Sequence, residues 1–197
     1  MKNLSKIRQR MDCQNNVSQK YGYVKADNQI AALFEYDFMT EHTVAVKKVL
    51  VVEKNEKWGI ISTEGEVLIP IEYDDLNVYN FGDKLLLEAE KNNKIGFIDL
   101  EGNTILPMEY ESIEMLERNR RMMRHSTFDK NTKMILQIKK NGRYGICDLA
   151  GTTILPCEYD NMIINEDDET YIINMKKDNK WEMAEMPLTF AANLLTK

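Results

Sequence analysis

The chain has 197 residues, enough to bury a core without metal or disulfide staples. Its 26 Lys and Arg stand against 32 Asp and Glu, and the formal charge of -6 excludes broad, non-specific attraction to nucleic acid or to an anionic membrane surface. The three cysteines, Cys13, Cys147 and Cys157, form no C-x-x-C pair and no spacing with histidine, and their odd number excludes a disulfide framework, so neither a metal nor a cofactor is expected.

The chain opens with "MKNLSKIRQRMDCQNN", charged throughout and without the apolar run of a signal peptide. Nowhere does the sequence approach the roughly 18 consecutive apolar residues of a membrane span, so a soluble, cytoplasmic protein with no membrane partner is expected. The apolar spacing and propensities of residues 1–20 are those of a short helix or a frayed tail more than of strands, and they are read as an amino-terminal extension.

From Tyr21 onward the chain repeats itself. Tyr21, Trp58, Ile95 and Tyr144 each precede a glycine, and Trp181 opens a last copy in which Glu182 replaces it; the spacings are 37, 37, 49 and 37 residues. The units are 21–57, 58–94, 95–143, 144–180 and a partial 181–197, the long one carrying an insert of 12 residues within the segment 118–133. A period of this length marks an array in which each unit buries its face against its neighbours.

Inside a unit, "GIIS" and "EVLIP" are short β-branched runs separated by "TEG", with "GFID" and "NTILP", then "GICD" and "TTILP", as counterparts. Each pair predicts a hairpin. Ser62, Asp99 and Asp148 stand three residues before Gly65, Gly102 and Gly151, as a type I turn closed by a left-handed residue requires. In the first copy Asn28 takes the glycine's place, the substitution that the left-handed region best tolerates. Pro70, Pro107 and Pro156 have no N–H for a ladder and should end or edge the second strand, while Leu33 stands there in the first copy. Glu-Tyr follows at 35–36, 72–73, 109–110 and 158–159, and then a second hairpin, clearest as "DDLNVYN", "FGD" and "KLLLEAEK". Four strands in 37 residues leave almost no room for helix, so the fold is expected to be all-β. Cys147 and Cys157 take the places of Ile61 and Ile71 and read as small buried hydrophobes.

The Trp58-Gly59 pair, the glycine turn, the "IP-x-x-Y-D" ending and the 37-residue spacing resemble the bacterial WG-repeat family. The resemblance implies a tandem β-repeat of binding or scaffolding character, with no catalytic residues to carry over. An open, solenoid-like stack of hairpin repeats is expected, and a five-bladed propeller-like ring is the alternative.

Function should lie where a repeat departs from its period. The segment 118–133 holds Arg118, Arg120, Arg121, Arg124, Lys130 and Lys133 against Asp129, a net +5 that leaves -11 for the rest of the chain. Arginine forks suit bidentate contact with carboxylates or phosphates, and Met122, Met123 and Phe128 add adaptable apolar contact, so these four arginines with Met122, Met123 and Phe128 are the candidate partner-binding residues. The bland reading is that this loop pairs with the acidic Glu166, Asp167, Asp168 and Glu169 at the same place in the next repeat. A protein partner is expected and nucleic acid is not. Phosphate-loop, dinucleotide, nucleophile-elbow and metal-histidine signatures are lacking, and the chain is not expected to be an enzyme. Two alternatives remain: an immunity-type inhibitor that neutralises a basic toxin or nuclease with its acidic portion, and a carbohydrate or small-ligand binder that uses Trp58, Trp181, Tyr21 and Tyr144 as an aromatic ladder.

Overall fold

The computed structural model describes residues 6–10, 20–25, 27–44, 47–81, 84–116, 135–166 and 170–187. These residues form strands and turns and no helix. In chain order the strands are β1 (Lys6–Arg10), β2 (Lys20–Val24), β3 (Ile30–Tyr36), β4 (Phe38–Val44), β5 (Lys47–Lys54), β6 (Lys57–Ser62), β7 (Val67–Tyr73), β8 (Asp75–Phe81) and β9 (Lys84–Lys91). They continue with β10 (Lys94–Ile98), β11 (Thr104–Tyr110), β12 (Ser112–Met115), β13 (Ile135–Lys140), β14 (Arg143–Asp148), β15 (Thr153–Tyr159), β16 (Asn161–Glu166), β17 (Thr170–Lys177) and β18 (Lys180–Pro187). The fold is all-β, a tandem array of hairpin repeats, and no sheet among the described residues closes into a barrel.

The sheets are small antiparallel meanders ordered β1-β2-β3, β4-β5-β6-β7, β8-β9-β10-β11, β12-β13-β14-β15 and β16-β17-β18. Each four-stranded sheet joins the second hairpin of one sequence repeat to the first hairpin of the next, so the folding module is offset from the 37-residue word that reveals it. The chain divides into two compact units, Met1–Asn92 with Ile98–Asn103, and Asn93–Phe97 with Thr104–Lys197.

One sequence expectation is corrected. Lys6–Arg10 is neither helix nor tail but strand β1, paired antiparallel with β2 from Lys6 opposite Val24 to Arg10 opposite Lys20. Local apolar spacing suggested a helix; a ladder to a distant strand, which no local signal reports, decides the conformation instead.

The turns behave as their residues dictate. Gly65, Gly102 and Gly151 have φ of +90°, +82° and +81°, and Asn28 has +68°. Ser62 Oγ accepts from the N–H groups of Glu64 and Glu66 at 3.1 Å, and Asp99 Oδ1 accepts from Glu101 at 3.0 Å and Asn103 at 2.7 Å. Pro70, Pro107 and Pro156 lie inside β7, β11 and β15 without ending them, exposed on strands at the edges of their sheets where the missing donor faces no partner.

In the first unit, Tyr23, Ala32, Tyr36, Met39, Leu50, Val52 and Ile61 pack into one cluster. Val49 to Val52 are all buried, the continuous apolar run of a strand covered on both faces. In the second unit Leu116, Ile135, Ile146, Met162, Tyr171, Ile173, Met175 and Met186 form the corresponding core.

Candidate interaction surfaces

The repeat glycine that follows Trp58, Ile95 and Tyr144 has a steric cause. A Cβ on Gly59 would lie 2.8 Å from Ile69 O and from Ile71 Cα; on Gly96 it would meet Leu106 O at 2.6 Å and Met108 N at 2.7 Å; on Gly145 it would meet Leu155 O at 2.7 Å. At this place the register of β6 on β7 and of β14 on β15 shifts in a bulge, and the bulged strand presses its backbone onto the bare Cα.

The Glu-Tyr ending with its following acid is a corner clamp. Asp37 accepts from Asn55 N–H at 2.9 Å, Asp74 from Asn92 N–H at 2.6 Å and Asp160 from Asp178 N–H at 3.0 Å. Each of these N–H groups opens a two-residue turn of left-handed residues: Asn55-Glu56, Asn92-Asn93 and Asp178-Asn179, with φ between +50° and +62°. Such paired left-handed residues match the twist of a hairpin. The same carboxylates pair with Lys20, Lys57 and Arg143, the residues just before Tyr21, Trp58 and Tyr144. In the third copy Glu111 replaces the aspartate, and it accepts from Gly142 N–H at 3.1 Å while Lys94 stands 3.7 Å away. The glutamate of each Glu-Tyr reaches a lysine on the following hairpin: Glu35 to Lys54 at 2.9 Å, Glu72 to Lys91 at 3.0 Å, Glu109 to Lys140 at 2.7 Å and Glu158 to Lys177 at 2.9 Å.

The clamp sets the acidities. Lys57 first, and then the Asn92 N–H, hold the Asp74 carboxyl below the ordinary carboxylate value, and Lys20 with the Asn55 N–H does the same for Asp37. Tyr36, Tyr73 and Tyr110 are buried at the corner. Burial above all, aided by the neighbouring thiols and Glu109, pushes the Tyr110 hydroxyl up to about 12. Burial likewise raises the Cys147 thiol to about 12, so this cysteine sits in the core as an inert protonated side chain, as expected, with Cys157 half-buried nearby.

The aromatic residues divide. Tyr21, Phe38 and Trp58 form a run with ring centroids 6.3 Å and 5.5 Å apart and planes tilted by 57° and 56°. These rings pack on one another with Trp58 half-buried, and Lys139 lies over the Tyr144 ring at 5.0 Å. Trp181, by contrast, is 52% exposed.

The arginines chosen from the sequence, Arg118, Arg120, Arg121 and Arg124, with Met122, Met123 and Phe128, lie outside the described residues, as do Asp167, Asp168 and Glu169. The structure instead presents, in the first unit, a groove of about 770 Å³ lined by Val49, Val67, Leu68 and Leu100 and by the charged Lys48 and Glu101. Val67 is 60% exposed. Lys48 donates to Glu41 at 2.6 Å, which keeps its ammonium above the ordinary value, and Tyr23 donates to the same carboxylate at 3.4 Å. Sequence reasoning missed the groove because its lining comes from segments spread between Lys48 and Glu101, 53 positions apart, though the valine and leucine that open "VLIPIEY" on an edge strand were a readable hint.

Among the described residues no group of three or more His, Cys, Asp or Glu could hold a metal ion, and no helix is long and apolar enough to cross a membrane. Searches of curated proteins and of solved structures return no match. A family model described as WG containing repeat matches residues 58–94, 95–120 and 144–181, together about half of the chain, and each match begins on the residue before the repeat glycine.

Proposed function

The chain belongs to the WG-containing repeat family, and from that premise we propose that it works as a non-catalytic scaffold that holds a partner protein through its loops and strand edges. One observation carries the reading. The charged side chains that recur with the repeat are engaged with each other at the corners, while Val67 and Leu68 stand uncovered along the groove of the first unit. An extended segment with apolar side chains and a base toward Glu101 complements that groove. The basic segment 118–133, with Arg118, Arg120, Arg121 and Arg124 as carboxylate forks and Met122, Met123 and Phe128 as apolar contacts, is the second contact, supported by its +5 charge against -11 elsewhere.

The test is recovery of partners from a nuclease-treated lysate by wild type, by a variant with all four arginines changed to serine, and by Val67→Glu with Leu68→Lys. A protein lost with the groove variant locates the apolar contact; one lost with the serine variant locates the basic one. Equal recovery by all three would remove both contacts. A basic toxin or nuclease retained by all three would move the site to the acidic portion, as in an immunity-type inhibitor.

A further inference from the structure

The sheet β16-β17-β18 differs from its neighbour in the same unit. Its registers place Met162 beside Met175, and Ile164, Ile173 and Ala184 in one row, facing the core of that unit. The opposite face carries the rows Asn161, Lys176, Trp181; Ile163, Asn174, Met183; and Asn165, Ile172, Glu185. On it Ile163 is 49% exposed, Trp181 52% and Met183 65%. In β14 the residue matching Met183 is Ile146, wholly buried, and both faces of β13 and β14 are covered. Among the described residues, a residue type that the repeat assigns to a core therefore stands uncovered in β18.

The edge is open as well. Strand β18 is the outermost of its sheet among the described residues. Its Glu182 occupies the place of Gly145, where any Cβ meets the backbone of a bulged fourth strand. A fourth strand of the kind that covers β14 cannot lie there, but a strand in straight register can.

We propose that the β18 edge and the Ile163–Trp181–Met183 face form a docking surface for a second copy of this chain, with β18 pairing antiparallel to β18 about a two-fold axis at Met183. An antiparallel pair places opposed residues on the same face, so only registers that shift by whole two-residue steps keep the two apolar faces together. With Met183 opposite Met183, Glu182 faces Ala184, Lys180 faces Met186, and Trp181 faces Glu185 of the other copy. Each Trp181 then lies between its own Lys176 and the other copy's Glu185, and the open face, with one Lys and one Glu per copy, opposes no like charges. The next register in one direction sets Glu182 against Glu182. The next in the other brings Pro187, which has no N–H, opposite Trp181. The two sheets become one of six strands, and the pairing is isologous and self-limiting.

One strand edge and a few apolar side chains bury less than the roughly 1,200 Å² of a standard interface, so the dimer is expected to be weak, with a dissociation constant of about 10–100 μM. The experiment is sedimentation velocity on the full chain from about 1 μM to about 500 μM, a range that brackets that constant, for wild type, Met183→Lys, Met183→Glu and an equimolar mixture of the two variants. Circular dichroism confirms that each variant is folded, as the exposure of Met183 leads one to expect. The proposal requires a concentration-dependent dimer in wild type, monomers for each variant alone, and a dimer restored in the mixture, since opposite charges then meet across the axis. Wild type that stays monomeric throughout overturns it. So does a dimer that persists equally in Met183→Lys, and so does a mixture that fails to associate.

Discussion

Strands β6 and β18 begin with the same two residues, Lys57-Trp58 and Lys180-Trp181, and end in different environments. In β6 the next residue is Gly59, and β7 crosses over it with its backbone pressed where a Cβ would be. In β18 the next residue is Glu182, and β18 is the edge of its sheet among the described residues. Ile60 and Ile61 are wholly buried, whereas Met183 and Glu185 are exposed and Ala184 is half-buried. The tryptophan that gives the repeat its look is thus not what makes a strand internal. The glycine beside it does that, because it alone admits the bulged neighbour whose side chains and successors close the core.

The largest effect expected from this comparison is at Gly96, where a new Cβ would meet three backbone atoms, Leu106 O, Met108 N and Met108 Cα, at 2.6–2.8 Å. Backbone cannot swing aside as a side chain can. Gly96→Val should cost about 3 kcal/mol or more of unfolding free energy, a magnitude typical of severe overpacking, and urea titration reads it directly. The mirror-image change, Glu182→Gly, falls on an exposed residue and should shift stability by no more than about 1 kcal/mol, chiefly through chain entropy. If Gly96→Val and Glu182→Gly cost the same, the glycine is not the determinant of the internal strand.

The next effect sharpens the comparison at the residues two places after the aromatic. Ile146→Ala empties a fully buried site in the core of the second unit and should cost about 2–5 kcal/mol. Met183→Ala, at the equivalent repeat position, should stay within about 0.5 kcal/mol, as surface changes do. Equal losses in the same titration would mean that the open face of β18 is not open in solution.

Much of the fold could be read because its determinants are local. The Ser62-to-Gly65 turn and the edge prolines each depend on residues within a few positions of one another, the 37-residue spacing repeats such local words, and all appear in the structure as the sequence implies. The second set of turns was equally local and was overlooked. Asn141-Gly142, with φ of +53° and +73°, is a strong hairpin signal, and Asn55-Glu56, Asn92-Asn93 and Asp178-Asn179 repeat it less plainly. Other features depend on distant partners. The pairing of Lys57 with Asp74 spans 17 residues and that of Glu72 with Lys91 spans 19, and only the ladder registers bring them together. Strand β1 is strand because of β2, not because of its own letters. The open face could have been suspected from Glu182, which replaces the glycine after the aromatic, but its apolar rows needed the registers of three strands. The basic segment, the most conspicuous departure from the repeat, lies outside the described residues, so the structure neither assembles nor disperses its arginines.

The smallest effect concerns the residue just before each tryptophan. Lys57 is paired with Asp74, whereas Lys180 has no carboxylate partner among the described residues. The Asp74 carboxyl is held below its ordinary value of 3.8 by Lys57 and by the Asn92 N–H, Asp37 is lowered in the same way by Lys20 and the Asn55 N–H, and Asp99 is lowered within its own turn, first by the Asn103 side-chain amide. A lowered carboxyl pKa in the folded state means that the unfolded chain takes up protons first as pH falls. The stabilisation is therefore present above the ordinary carboxylate value and is lost as pH drops through the lower folded values. Stability should be level between about pH 5 and pH 7 and decline below about pH 4. Asp74→Asn keeps an acceptor for the Asn92 N–H but loses the charge, so it should lower the melting temperature slightly at neutral pH and make the acid decline shallower. Lys180→Met should leave both unchanged. The exposed site and its solvent screening keep the first effect small, but its sign is fixed: if Asp74→Asn makes the acid decline steeper, the clamp does not hold the corner in the way the hydrogen bonds of Asp74 require.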